Sequence, residues 1–206
     1  MAKANGGWFI NMSTFFAYFH LGIRHISDIH SVQHLLFLIA LCVIYLLRDW
    51  EKVMILILYY ALGHLVTLVL STFEVIIIPR GIINYLIPVT IFLTSAVNIF
   101  RKQYGGSAKF QLSYIPAVLF GLIHGFGFAD YFKSIVIRST DIGFQLTSFI
   151  LGIETGQFII VTSFLFLSWL FVNNFGVERR DWILIISSGI AGIALTFMFE
   201  SRFWVN

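Results

Sequence analysis

The sequence predicts an all-α fold, a polytopic membrane helix bundle with about seven transmembrane helices, as a single transmembrane domain over residues 1–206. Two observations carry that expectation. Hydrophobic residues make up 59% of the chain and charged residues 11%, against roughly a quarter charged in an ordinary soluble domain. Several apolar runs also approach or exceed the roughly 20 residues a helix needs to cross hydrocarbon. Backbone polar groups in lipid have no water to bond, so each run is read as a helix.

The first run extends roughly from Trp8 to Ile23. The second begins near Val32 and continues through Leu47, where Arg48-Asp49-Trp50-Glu51-Lys52 closes it with charges around an interfacial aromatic. The third covers Val53 to Phe73 and the fourth about Ile82 to Phe100. A polar connection, Arg101 to Lys109, carries Gly105-Gly106-Ser107. The fifth run covers Tyr114 to about Ile137, and Asp141-Ile142-Gly143 marks a turn before the long sixth, Phe144 to Val172. Glu178-Arg179-Arg180-Asp181 separates it from the seventh, Trp182 to Phe199. Trp8, Trp50, Trp182 and Trp204 fit interfacial anchors, and the many phenylalanines fit lipid-facing packing.

With seven crossings the basic residues divide by side. Lys3, Arg48, Lys52, Arg101, Lys102, Lys109, Arg179 and Arg180 fall together, with Arg24, Arg80, Lys133, Arg138 and Arg202 opposite. The positive-inside rule then predicts a multi-pass protein of the cell (inner) membrane with a cytoplasmic N-terminus and an external C-terminus. The net charge of +3 is spread over the connections and points to topology, with no nucleic-acid partner. The expected partners are the lipid bilayer and a divalent metal ion, with a homo-oligomer left open. Cys42 is the only cysteine, so no intramolecular disulfide can form. The Met1-Ala2-Lys3 start has no small-residue cleavage site, and no removable signal peptide is expected.

Polar side chains inside apolar spans are costly, about 2.5–3.5 kcal/mol for a charge near the bilayer centre, and so they are informative. His64 shares a helix face with Thr67 and Ser71. Asn84, Pro88, Ser95 and Asn98 form a stripe on the fourth run. His124 is near the middle of the fifth, and Glu154 near the middle of the sixth, with Gln157 one turn on and Thr147 two turns back. His25, Asp28, His30 and His34 cluster between the first two runs, at an expected external mouth. Gly121, Gly125 and Ala129, and likewise Ser148, Gly152 and Gly156, recur every fourth residue, a spacing that lets helices approach closely in lipid. A single intramembrane histidine serves as well for an interhelical hydrogen bond as for a metal. Together, imidazole and carboxylate make a borderline ligand set suited to zinc, nickel, cobalt or copper.

Four segments carry a resemblance. Gly22-Ile-Arg-His25-Ile followed by His34-Leu-Leu-Phe-Leu, then Gly63-His64-Leu-Val-Thr67-Leu, then Gly121-Leu-Ile-His124-Gly-Phe-Gly-Phe-Ala129, and Gly152-Ile-Glu154-Thr-Gly-Gln157 resemble, in order, the motifs of the HupE/UreJ family of nickel and cobalt permeases. The resemblance implies a small multi-pass permease, not an enzyme, with His25, His34, His64, His124 and Glu154 as candidate ligands along the path of a nickel, cobalt or zinc ion. Two departures remove carboxylates: Gln33 stands where the family usually has an acidic residue before the second histidine, and Asn84 where the fourth helix often starts with one. Asp28 and His30 are the nearby groups that could compensate, and they complete the candidate ligand set. Two alternatives use the same residues differently. An intramembrane zinc-dependent hydrolase would take three histidines as ligands and Glu154 or Asp130 as general base. A membrane scaffold would call for long extramembrane loops, which the sequence lacks.

Overall fold

The computed structural model describes residues 3–27, 32–101, 114–136 and 141–201. Among them are seven α-helices and no strand: α1 (Lys3–Ser27), α2 (Val32–Cys42), α3 (Trp50–Thr72), α4 (Arg80–Phe100), α5 (Tyr114–Ile135), α6 (Ile142–Trp169) and α7 (Arg179–Glu200). The helices α3 to α7 are long and apolar enough to cross a membrane. Their exposed positions carry large apolar side chains, including Leu58, Val66, Val97, Leu119, Phe158 and Phe166, as lipid rather than water as solvent requires.

Two close pairings, α3 with α5 and α1 with α6, organise the bundle. Both run parallel. Tyr59 stacks on Tyr114 at one end of the first pair, and Lys133 Nζ donates to Ser71 Oγ at the other. In the second, Phe15 meets Phe144 and Ile26 meets Gly156. Glycine makes the approach possible: a Cβ on Gly121 would fall on the Tyr60 carbonyl oxygen, and one on Gly22 on that of Phe149. The expected small-residue stripes thus find their partners in Gly63 and Gly22. α4 runs antiparallel to α5, its Arg80 against Asp130 and its Thr90 against His124. These contacts define an upper face, with Thr72, Arg80, Ile135 and Ile142, and a lower face, with Trp50, Phe100, Tyr114 and Arg179.

The second run departs most from expectation. It is helical only from Val32 to Cys42, and eleven residues rise about 16 Å, half of a hydrocarbon core of about 30 Å. α1 passes the upper end of α5, where Tyr18 Oη donates to the Ile135 carbonyl, and ends deep in the bundle, with Ile26 against Gly156. α2 takes up the path from His34, beside His124, to Ala40, beside Asn98 near the lower end of α4. α1 and α2 therefore follow one another in the same direction through the bundle, and the five helices α3 to α7 are the ones long and apolar enough to cross a membrane. Hydropathy counts apolar runs and is blind to two short ones joined in series. Lys3, at the start of α1, lies on the side opposite Arg48, Lys52, Arg101, Arg179 and Arg180. Lys102, Lys109, Arg138 and Arg202 lie outside the described residues.

The end of a helix leaves carbonyls without donors. Two side chains supply them. Asn98 Nδ2 donates to the Ala40 carbonyl at 2.6 Å, and Arg179 Nη2 to that of Ile44, also at 2.6 Å. α6 begins with Asp141, whose carboxylate accepts from Phe144 N–H, an N-cap of the usual kind. Some smaller expectations fail. Trp182 is buried, stacked between Phe164 and Phe171 with its N–H given to Ser168, so it braces the α6–α7 turn instead of anchoring in the interface. Asn84 and Thr147 are exposed, whereas Pro88, Ser95 and Asn98 of the expected stripe lie on the buried face of α4 with Ile83, Ile87, Thr90 and Ile91. Trp204 lies outside the described residues.

Candidate functional site

Each of four helices places a polar side chain within one turn of the glycine at its closest approach: His25 after Gly22, His64 after Gly63, His124 after Gly121 and Glu154 after Gly152. Where two backbones touch, neighbouring side chains on both helices turn toward the third element packed against the seam. That element includes α2, with His34 near its start. The result is a layer of imidazoles inside the bundle. Centroids of His34 and His124 are 5.2 Å apart, and those of His25 and His34 6.1 Å. The ring of Phe128 stands among them, 5.4 Å from His25, 4.3 Å from His34 and 5.4 Å from His64. The expected external mouth formed by His25 and His34 is therefore corrected: both lie in the same layer as His124, because α1 and α2 meet within the bundle.

His64 and His124 are fully buried and His34 nearly so. His64 Nε2 lies 2.7 Å from Glu154 Oε1. A carboxylate accepts, so Nε2 carries the proton, and in the neutral ring the lone pair falls on Nδ1. That Nδ1 is buried and has no hydrogen-bond partner. His124 repeats the pattern. Its Nε2 is 2.9 Å from Thr90 Oγ1, whose single proton goes to the Ile87 carbonyl at 2.7 Å. The hydroxyl then accepts from Nε2–H, and the lone pair of His124 also falls on an unpartnered, buried Nδ1. These tautomers are assigned from the bonding pattern. Both imidazoles are thus oriented through one nitrogen and open at the other, the arrangement in which a second group fixes a metal-binding histidine.

Glu154 is partly exposed, its side chain 31% accessible. One turn on, Gln157 is fully buried, and neither its Oε1 nor its Nε2 has a hydrogen-bond partner. His25 is half-buried and stacks on Tyr131 at 3.9 Å. Asp28 and His30 lie outside the described residues. Among those described, no three His, Cys, Asp or Glu side chains come together closely enough to hold one ion. The donors present themselves as pairs, His34 with His124 and His64 with Glu154, with Phe128 between them.

Sequence reasoning missed Thr90, Tyr60 and the buried phenylalanines of this layer. Thr90 orients His124 and differs in no visible way from other threonines in apolar runs. Tyr60 is fully buried, with an unpartnered hydroxyl, and its ring lies 5.2 Å from His64 and 5.8 Å from His124. Its position one turn before His64 was the available signal. Phe37, Phe128, Phe132 and Phe149 are fully buried too, so part of the phenylalanine content lines the histidine layer instead of facing lipid. Above the layer, Arg80 Nε pairs with Asp130 Oδ2 at 3.0 Å at the upper face.

No curated protein sequence and no solved structure shows significant similarity to the chain. The description "HupE / UreJ protein" matches residues 7–201, nearly its whole length and all four histidine-bearing helices. The chain is a member of the HupE/UreJ family of membrane proteins.

Proposed function

We propose that the chain is a permease for a divalent transition metal ion, nickel or cobalt first, which crosses the membrane through the imidazole layer. The observation that supports this most is the pair of buried, unpartnered Nδ1 atoms on His64 and His124, each opposite a nitrogen already engaged. Leaving such atoms without a partner costs stability, and a passing cation is the partner their lone pairs fit. The 5.2 Å between His34 and His124 is close to the spacing of two imidazoles on one tetrahedral ion, about 5 Å from nitrogen–metal bonds near 2.1 Å.

Donors arranged in pairs suit transport. A conduit must bind strongly enough to admit the ion and weakly enough to release it, whereas three or four fixed ligands make a resident site. In this reading the ion exchanges between His34 with His124 and the open Nδ1 of His64, and the Glu154 carboxylate, bonded to the other nitrogen of that ring, offsets its charge. His25 extends the layer, and Asp28 and His30 complete the ligand set from the break between α1 and α2. The hydrolase alternative needs three ligands at one point, a grouping absent among the described residues, and nothing here favours it.

The test is uptake of nickel and of cobalt by liposomes holding the purified chain. His124→Ala is expected to reduce uptake to the level of empty liposomes while the protein remains folded and monodisperse. Normal uptake by that variant would contradict the proposal.

A further inference from the structure

The seam between α4 and α5 has two unlike halves. From the upper face it runs through Arg80 and Asp130, then Ile87 and Gly127, then Thr90 and His124. Below His124 it opens into a groove of about 460 Å³ lined by Leu41, Ile44, Leu56, Leu93, Val97 and Phe120, with Thr94, Asn98 and Arg101 along α4. Of its uncharged polar side chains, Thr94 donates through Oγ1 to the Thr90 carbonyl, Asn98 through Nδ2 to that of Ala40, and Tyr45 is buried. The groove is therefore apolar in effect. At its lower end Arg101, the residue that stops α4, has no ion pair or side-chain hydrogen bond among the described residues.

We infer that this groove is a binding site for an anionic phospholipid, its acyl chain along Leu93 and Val97 and its phosphate on Arg101. The groove opens sideways, since Leu93 and Val97 are exposed on the lipid-facing side of α4. It also borders the end of α2, where Ile44 and Tyr45 carry irregular backbone. A hydrated divalent cation is a poor occupant, because the lining offers it no donor and the rim a fixed positive charge. An acyl chain fits the lining, and an anionic headgroup fits the rim, as juxtamembrane basic residues attract anionic lipid. A lipid there would close the seam directly beneath Thr90 and His124.

The experiment uses the full chain in nanodiscs of equal phosphatidylglycerol and phosphatidylcholine, ejected into a native mass spectrometer. The expected result is one retained phospholipid per chain, with phosphatidylglycerol favoured roughly five-fold, the attraction one basic side chain supplies. Arg101→Gln is expected to equalise the two lipids, and Leu93→Trp to abolish retention. Val97→Trp fills the groove from the next turn and stands in should the first variant fail to fold. Equal retention of both lipids by the unaltered chain, retention that survives both tryptophans, or a lipid-free dimer would each overturn the inference. None of these readouts involves a metal, so they stand apart from the test of transport.

Discussion

The α3–α5 and α1–α6 pairs are built alike and finish differently. Both are parallel, both close through facing glycines, and both carry their polar side chains beside the contact. In α3–α5 both helices span the membrane, and His64 and His124 are completely buried. In α1–α6 one partner stops at Ser27, halfway along the other, so His25 is half-buried and Glu154 is 31% accessible. The glycine seam sets where polar groups converge. The length of the partner helix sets how far they are shielded. The α3–α5 pair buries its imidazoles, and the α1–α6 pair leaves its polar side chains partly accessible.

The largest expected effect breaks the likeness at its source. Gly121→Leu forces a side chain into the Tyr60 carbonyl, and Gly152→Leu one into that of Phe19. A backbone contact relieves less easily than an overpacked side chain, which alone costs about 1–3 kcal/mol. Both variants should lose folded, monodisperse protein on size-exclusion chromatography. Survival of only the Gly152 variant would show that α1–α6 is not held as α3–α5 is.

Next in size is the carboxylate. Glu154→Gln keeps a hydrogen-bonding side chain beside His64 and removes the charge. Nickel uptake by liposomes should fall at least about ten-fold, the scale on which an outer partner of a metal-binding histidine acts, with little change in thermal stability. A similar loss of stability and uptake would mean that the His64–Glu154 contact serves the fold alone.

Smaller still is the effect of Thr90→Val, which removes a hydroxyl at nearly constant shape and leaves His124 Nε2 without its acceptor. Metal affinity measured by isothermal titration should weaken by a factor of about ten, and the variant should stay folded. Unchanged affinity would detach Thr90 from the site and with it the assignment of the His124 lone pair.

Much of this was legible in the sequence, for physical reasons. Apolar length located all seven helical runs, and the cost of a buried polar group singled out His64, His124 and Glu154. The every-fourth-residue stripes named the contact surfaces, though not their partners Gly22 and Gly63. Depth was not legible. A half-length run such as Val32–Cys42 reads in hydropathy like a full crossing, and only its bonds to Asn98 and Arg179, far away in sequence, reveal a helix that ends inside the bundle. The same blindness placed His25 and His34 at a mouth instead of in the layer. Thr90, Tyr60 and Phe128 were missed because what distinguishes them is their neighbours across the bundle.

The most direct measurement is an anomalous-scattering map of the chain loaded with nickel or cobalt. The account predicts a peak beside Phe128, within bonding distance of nitrogen on His34, His64 or His124 or of the Glu154 carboxylate. A peak elsewhere in the bundle, at buried Cys42 for instance, together with uptake that persists, would contradict it.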